Sequence, residues 1–227
     1  MAAPQSDPER PSPEETRDSA TEGAHSSAAQ STGSAPEPRE DRASLALVAL
    51  RDLALASGLL SLFAGAQAWA TTSGLVLAGL VATFDGFLVG AALGALAHEW
   101  GHFIGARQAG AIAPLRSIRD FLPLYEYDYA HNDARAFLWM SVGGNLAHAL
   151  VVVLLLASLP MDTLGTAALV SGAFGFAVFS SAIEIPVIRR ARAGADPLEA
   201  LGSIPKDFVA RYLPWSIGAG LLLFILL

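Results

Sequence analysis

Between Asp52 and Asp85 the chain runs for 32 residues without a charged side chain. As one helix that stretch would extend about 48 Å, well past the roughly 30 Å hydrocarbon core of a bilayer. A break is therefore expected, and Ala70-Thr71-Thr72-Ser73-Gly74 supplies it. Uncharged stretches elsewhere complete an all-α, multi-pass transmembrane helix bundle. Its spans are expected near 45–70, from Gly74 through Asp85 to 106, and at 136–161, 163–183 and 208–227. That makes five spans; a split of the second at Asp85-Gly86 would make six. The composition agrees, with 53% hydrophobic residues, 15% charged residues and a mean hydropathy of +0.45. No basic patch argues for nucleic acid.

The second span carries a strong chemical signal. Only 12 uncharged residues separate Asp85 from His98, too few to cross a membrane. If the segment spans, then His98, Glu99 and His102 lie inside the bilayer. Ionisable groups are costly there and mark functional sites. The sequence is HEWGH. Two His residues four apart share one helix face and can reach one ion, and the Glu between them falls beside that ion as a general base. The chain has no cysteine, so a metal must be held by nitrogen and oxygen, which suits Zn²⁺. His98 and His102 are thus expected as metal ligands and Glu99 as the catalytic residue.

Catalytic zinc takes three protein ligands and keeps one open position. Asp196 is the expected third ligand, because it follows the fourth span on the same side as His102. Glu184, deeper in that span, and His148, midway along the third, are the alternatives. Asp85 is about 20 Å from His98 along a straight helix, too far to share its ion. Asp196 before Pro197 also fits a helix N-cap, Glu184 fits an ion pair with Arg189 or Arg190, and His148 fits an interhelical hydrogen bond. Asn145, in Ser141-Val142-Gly143-Gly144-Asn145, is a buried amide in need of partners. It is expected to donate toward a substrate oxyanion or to serve as packing glue. The segment FLPLYEYDYAHNDARAF from Phe121 to Phe137 alternates Tyr125, Tyr127 and Tyr129. It predicts a short strand-like loop after the HExxH helix, able to bind substrate by strand addition, or an interfacial loop. His131 is expected to face solvent.

Arg107, Arg116, Arg119 and Arg135 follow the motif, and Arg189, Arg190, Arg192, Lys206 and Arg211 precede the last span. The opposite loops hold no Lys or Arg. The positive-inside bias then puts the motif end toward the cytoplasm, and a bacterial cytoplasmic membrane is the expected location. Residues 1–42 hold nine acids and four Arg, six Pro, and no Ile, Leu, Val, Phe or Trp. They are expected to form a disordered, solvated acidic tail, not a signal peptide, ahead of a membrane domain at 43–227.

With these residues in view, HEWGHFIGARQAG resembles the HExGHF-x-x-A-R-x-x-G signature of site-2-protease-type intramembrane zinc metalloproteases. That family has a core of three helices, with a small membrane-embedded strand region after the first. The corresponding pieces here are residues 85–106, the Tyr loop, Gly144-Asn145 and Asp196, so the likeness covers about 85–200. Val142 stands where the family's second motif has Pro, and Asp196 is followed by Pro197 where the family has Gly. The resemblance implies an endopeptidase that uses Zn²⁺, Glu99 and water to cut a membrane-embedded protein substrate. His98, His102 and Asp196 would be the zinc ligands. Two rivals stand beside it: a prenyl-protease-type membrane zinc protease using Glu184, and an inactive pseudoprotease scaffold.

Overall fold

The computed structural model describes residues 44–120 and 122–227. The tail expected at 1–42 lies outside them. Among the described residues the secondary structure is helical: α1 (Leu45–Ser73), α2 (Val76–Gln108), α3 (Ala134–Ser158), α4 (Leu164–Arg192), the short α5 (Pro197–Gly202) and α6 (Phe208–Leu226). All but α5 are long and apolar enough to cross a membrane. The chain is an integral membrane protein, with five such helices among the described residues. The second is one continuous helix of 33 residues through Asp85-Gly86, so the count is five.

Local chemistry sets the ends. Ser44, Asp133 and Thr163 each accept a hydrogen bond from a first-turn amide of α1, α3 and α4. Gly74 closes α1 in the left-handed region at φ 64°, where an L side chain is disfavoured. The expected break thus falls at its last residue. Helix α4 runs further than expected. Pro186 removes one amide donor without ending the helix, which continues to Arg192. Glu184 therefore stands inside α4, two turns before its end.

Helix α2 is the axle of the bundle, packed against α1, α3 and α4; α4 also meets α5 and α6. Apolar side chains face outward along these helices, as lipid permits, and close packing inside comes from small residues. Gly101 of α2 and Gly143 of α3 face each other so closely that a Cβ on either would overlap the other's carbonyl oxygen. This crossing lies beside the HEWGH turn and fixes its distance from α3.

The Tyr segment folds back on residues 112–116. The amides of Arg116, Glu126 and Asp128 donate to the carbonyls of Leu124, Pro114 and Ile112. These bonds define one antiparallel register, yet only Leu115 and Tyr125 form a full bridge. The next bridge, between Ala113 and Tyr127, would need an amide hydrogen on residue 114, and Pro114 has none. The expected strand is therefore a paired, extended hairpin that stops short of a regular ladder. Its alternation survives: Tyr125 and Tyr127 are buried while Glu126 is exposed.

Candidate metal centre

Three side chains from two helices converge at the centre of the bundle. His98 Nε2 and His102 Nε2 lie 2.9 Å apart, and Glu184 Oε1 is 2.9 Å from the first and 3.0 Å from the second. Helical spacing explains the pair, since residues four apart stack on one face of α2. Glycine explains the room. A Cβ at residue 144 would stand 2.5 to 2.8 Å from three atoms of the His102 ring, so that imidazole occupies the space a side chain would fill. Gly143 and Gly144 thus do different work, one admitting the α2 backbone and the other the His102 ring.

The donor set fits a divalent ion. His102 Nδ1 is 2.9 Å from the Met140 carbonyl, which can only accept, so the ring hydrogen is on Nδ1 and Nε2 presents a lone pair. A carboxylate oxygen faces the same point. Atoms so arranged repel unless something positive sits among them. Three ligands at about 2.0 to 2.2 Å from one tetrahedral zinc stand roughly 3.3 to 3.6 Å from each other. The observed separations of 2.9 to 3.0 Å are shorter, so the three atoms would spread by about half an ångström to take the ion. Among the described residues, His98, His102 and Glu184 are the group able to hold a metal.

Each expected site residue has a definite place. Glu184, the alternative, reaches the imidazoles. Asp196, the expected third ligand, does not join them. It is exposed at the start of α5, where its side chain accepts from the amides of Leu198 and Glu199. The physical reason is the length of α4, which carries the chain about 12 Å past Glu184 before the turn at Gly194. Asp196 is then free to cap. His148 is 2% exposed and contacts His98 with its Nδ1, 3.2 Å from His98 Nδ1. Asn145 is engaged on every side. Its Nδ2 donates to Glu184 Oε2 and to Ser141 O, and its Oδ1 accepts from Ser181. The hydrogens expected to meet an oxyanion already have acceptors. His131 is exposed and pairs with Asp128.

A cavity of about 540 Å³ opens beside the triad. Glu99, His102 and Glu184 line it from the helices, and Tyr125, Tyr127 and Tyr129 line it from the hairpin. Glu99 Oε2 stands 3.5 Å from the Leu124 amide, which ties the motif helix to the hairpin. Because residues 124, 126 and 128 point their backbone groups at 112–116, those of Tyr125 and Tyr127 face the other way. Among the described residues nothing pairs with the amides of Tyr125 and Tyr127. Burial holds the Tyr127 hydroxyl neutral, with its pKa pushed up to about 12, and shifts Tyr125 and Tyr129 in the same direction.

Sequence reasoning missed a second set of contacts. Asp52, 3% exposed on α1, accepts from the Trp100 indole within the motif and pairs with Arg51 at 2.7 Å. Arg51 also donates to the carbonyls of Ile118 and Asp120 at the hairpin tip. An acid at the start of an apolar span was the available signal. Ser180 and Ser181 were also missed; their hydroxyls contact His98 Nε2 and His148 Nε2.

No family model matches the chain, and neither a curated protein nor a solved structure matches it. The class defined by fold and site is an integral membrane protein, with five membrane-length helices among the described residues and a partly buried His-His-Glu group that could bind a metal ion.

Proposed function

We propose that the chain is a zinc-dependent intramembrane endopeptidase of the site-2-protease type, cutting a membrane-embedded protein substrate. The observation that carries this reading is the convergence of His98 Nε2, His102 Nε2 and Glu184 Oε1 within 3.0 Å, on a cavity that also holds Glu99 and an extended edge unpaired among the described residues.

His98, His102 and Glu184 would hold the ion, which when bound supplies Lewis acidity to polarise a peptide carbonyl and acidify water. Glu99 takes the proton of the attacking water and returns it to the leaving amine. A substrate helix hides its carbonyls in its own hydrogen bonds, so it must unwind before attack. The free backbone groups of Tyr125 and Tyr127 would hold the unwound segment as an added strand. The tyrosine rings line the cavity without bringing charge to it. The Lys and Arg residues around the hairpin and α5 support a cytoplasm-facing cavity in this reading, by the positive-inside bias.

Glu99→Gln should abolish cleavage while fold and zinc content persist; turnover equal to wild type would refute the mechanism. The Glu184 carboxylate beside the imidazoles is a specific observation for the second reading, a prenyl-protease-type enzyme with a Glu ligand from a later helix. The hairpin next to the HExxH helix favours the first. Cleavage of a bilayer-embedded segment rather than a prenylated chain end decides between them. A folded, metal-free protein would favour the scaffold reading.

A further inference from the structure

The two metal-ligand candidates on different helices are joined by more than the ion they would share. His98 Nδ1 is 3.2 Å from His148 Nδ1, and His148 Nε2 is 3.2 Å from Ser181 Oγ. Ser181 Oγ is 3.0 Å from Asn145 Oδ1, and Asn145 Nδ2 contacts Glu184 Oε2. The loop leaves α2 at His98, crosses α3 and α4, and returns to the ligand triangle at Glu184.

Its hydrogen positions follow from the acceptors at one end. The Glu184 carboxylate and the Ser141 carbonyl can only accept, so Asn145 turns its Nδ2 toward them and its Oδ1 toward Ser181. Ser181 must donate to that oxygen. A hydroxyl has one hydrogen, so Ser181 accepts from His148 Nε2. A neutral His148 with hydrogen on Nε2 has a lone pair on Nδ1, and it accepts from His98 Nδ1. His98 then presents the Nε2 lone pair to the triangle, the same choice the Met140 carbonyl imposes on His102.

We propose that His148, locked by Ser181 and Asn145, is a positioning residue that selects the metal-binding tautomer of His98. This rests on the metal reading above. His148 does not line the cavity at Glu99, and its contact with the metal-ligand candidates is to His98 Nδ1, away from the Nε2 that faces the triangle, so it acts through His98. Packing also bears on the ring, since His98 and His148 lie nearly parallel, at 19°, with Phe176 edge-on to both. Stacking alone would leave His98 free to present either tautomer; the hydrogen-bond chain does not.

The test is zinc affinity of the full-length chain in detergent, by chelator competition, together with the visible spectrum of the Co²⁺-loaded protein. His148→Phe keeps the ring shape and removes the acceptor. It should weaken zinc by about 10- to 100-fold and shift the cobalt bands. His148→Gln restores one acceptor and one donor at similar spacing and should recover most of the affinity. Wild-type affinity and an unchanged spectrum in His148→Phe would overturn the proposal, as would a Gln variant no better than Phe. If His148→Phe does not fold, Ser181→Ala carries the test. It should weaken zinc by several-fold, and unchanged binding overturns the relay. A wild-type chain that binds no zinc removes the metal centre itself, a failure seen before any variant is made.

Discussion

A single methyl group at residue 144 tests the site without replacing any of the three side chains proposed to hold the ion. In Gly144→Ala the new Cβ would stand 2.5 Å from Cε1, 2.6 Å from Nε2 and 2.8 Å from Nδ1 of His102. Carbon atoms in contact rest about 3.5 to 4.0 Å apart, so the ring must retreat by roughly 1 Å. A retreat of that size lengthens the 2.9 Å bond to the Met140 carbonyl beyond hydrogen-bond range, or carries Nε2 out of the triangle. Overpacking of this kind costs about 1 to 3 kcal/mol. Losing a fixed ligand orientation lowers metal affinity by roughly 10- to 100-fold. Zinc affinity and thermal unfolding of the detergent-solubilised variant measure the two effects. Gly58→Ala is the control, since nothing lies within 4 Å of its added Cβ. Gly144→Ala with wild-type zinc affinity and stability would refute the claim that the His102 ring occupies that space as a ligand.

Other outcomes follow from the same geometry. Glu184→Ala should empty the site of zinc, whereas Asp196→Ala should keep it and lose a cap worth about 1 kcal/mol of stability; zinc content and melting curves of the pair check this. Trp100→Phe strips the donor from buried Asp52 and should cost about 1 to 3 kcal/mol, read by thermal unfolding, with the hairpin tip more open to proteolysis through Arg51. Tyr127, at about 12 in the folded chain against an ordinary 10.0, keeps its proton where the unfolded chain loses it. Its contribution to stability is present below pH 10 and declines as pH rises toward 12; ultraviolet titration at the phenolate band should show no ionisation of this residue below pH 10.

The spans were legible because the bilayer demands long uncharged helices, and the expected boundaries fall within a few residues of the observed ones except at the end of α4, which continues to Arg192. Periodicity gave no help within them, because helices that face lipid are apolar all round and the buried stripe is marked by Gly, Ala and Ser. The His98–His102 pair was legible from spacing alone. Glu184 was not separable from Asp196, because the choice depended on where α4 stops. The uncharged run ends at Ile183, which set the expected end of the span, and the helix continues through Glu184 and Pro186 to Arg192. The hairpin was half legible: the alternating tyrosines gave the register of burial, and Pro114, which curtails the ladder, lies in the opposite arm. Ser180 and Ser181 went unread because a lone hydroxyl in an apolar run carries no partner in the sequence, and Asp52 because its contact with Trp100 joins residues 48 positions apart.

The polar interior and the fold depend on the same few residues. In lipid each unpaired polar group would cost several kcal/mol, so His98, His148, Ser181, Asn145 and Glu184 can lie at this depth only as a connected set. Connection requires α2, α3 and α4 to approach closely, and Gly101, Gly143 and Gly144 permit that. The approach in turn brings the imidazoles and the carboxylate to one point. A substitution that loosens the α2–α3 crossing therefore breaks polar pairs and separates ligands together. Stability and metal affinity should fall in parallel for such variants. For Glu184→Gln, which keeps the shape and removes the charge, they should part: zinc affinity falls while the chain loses much less stability.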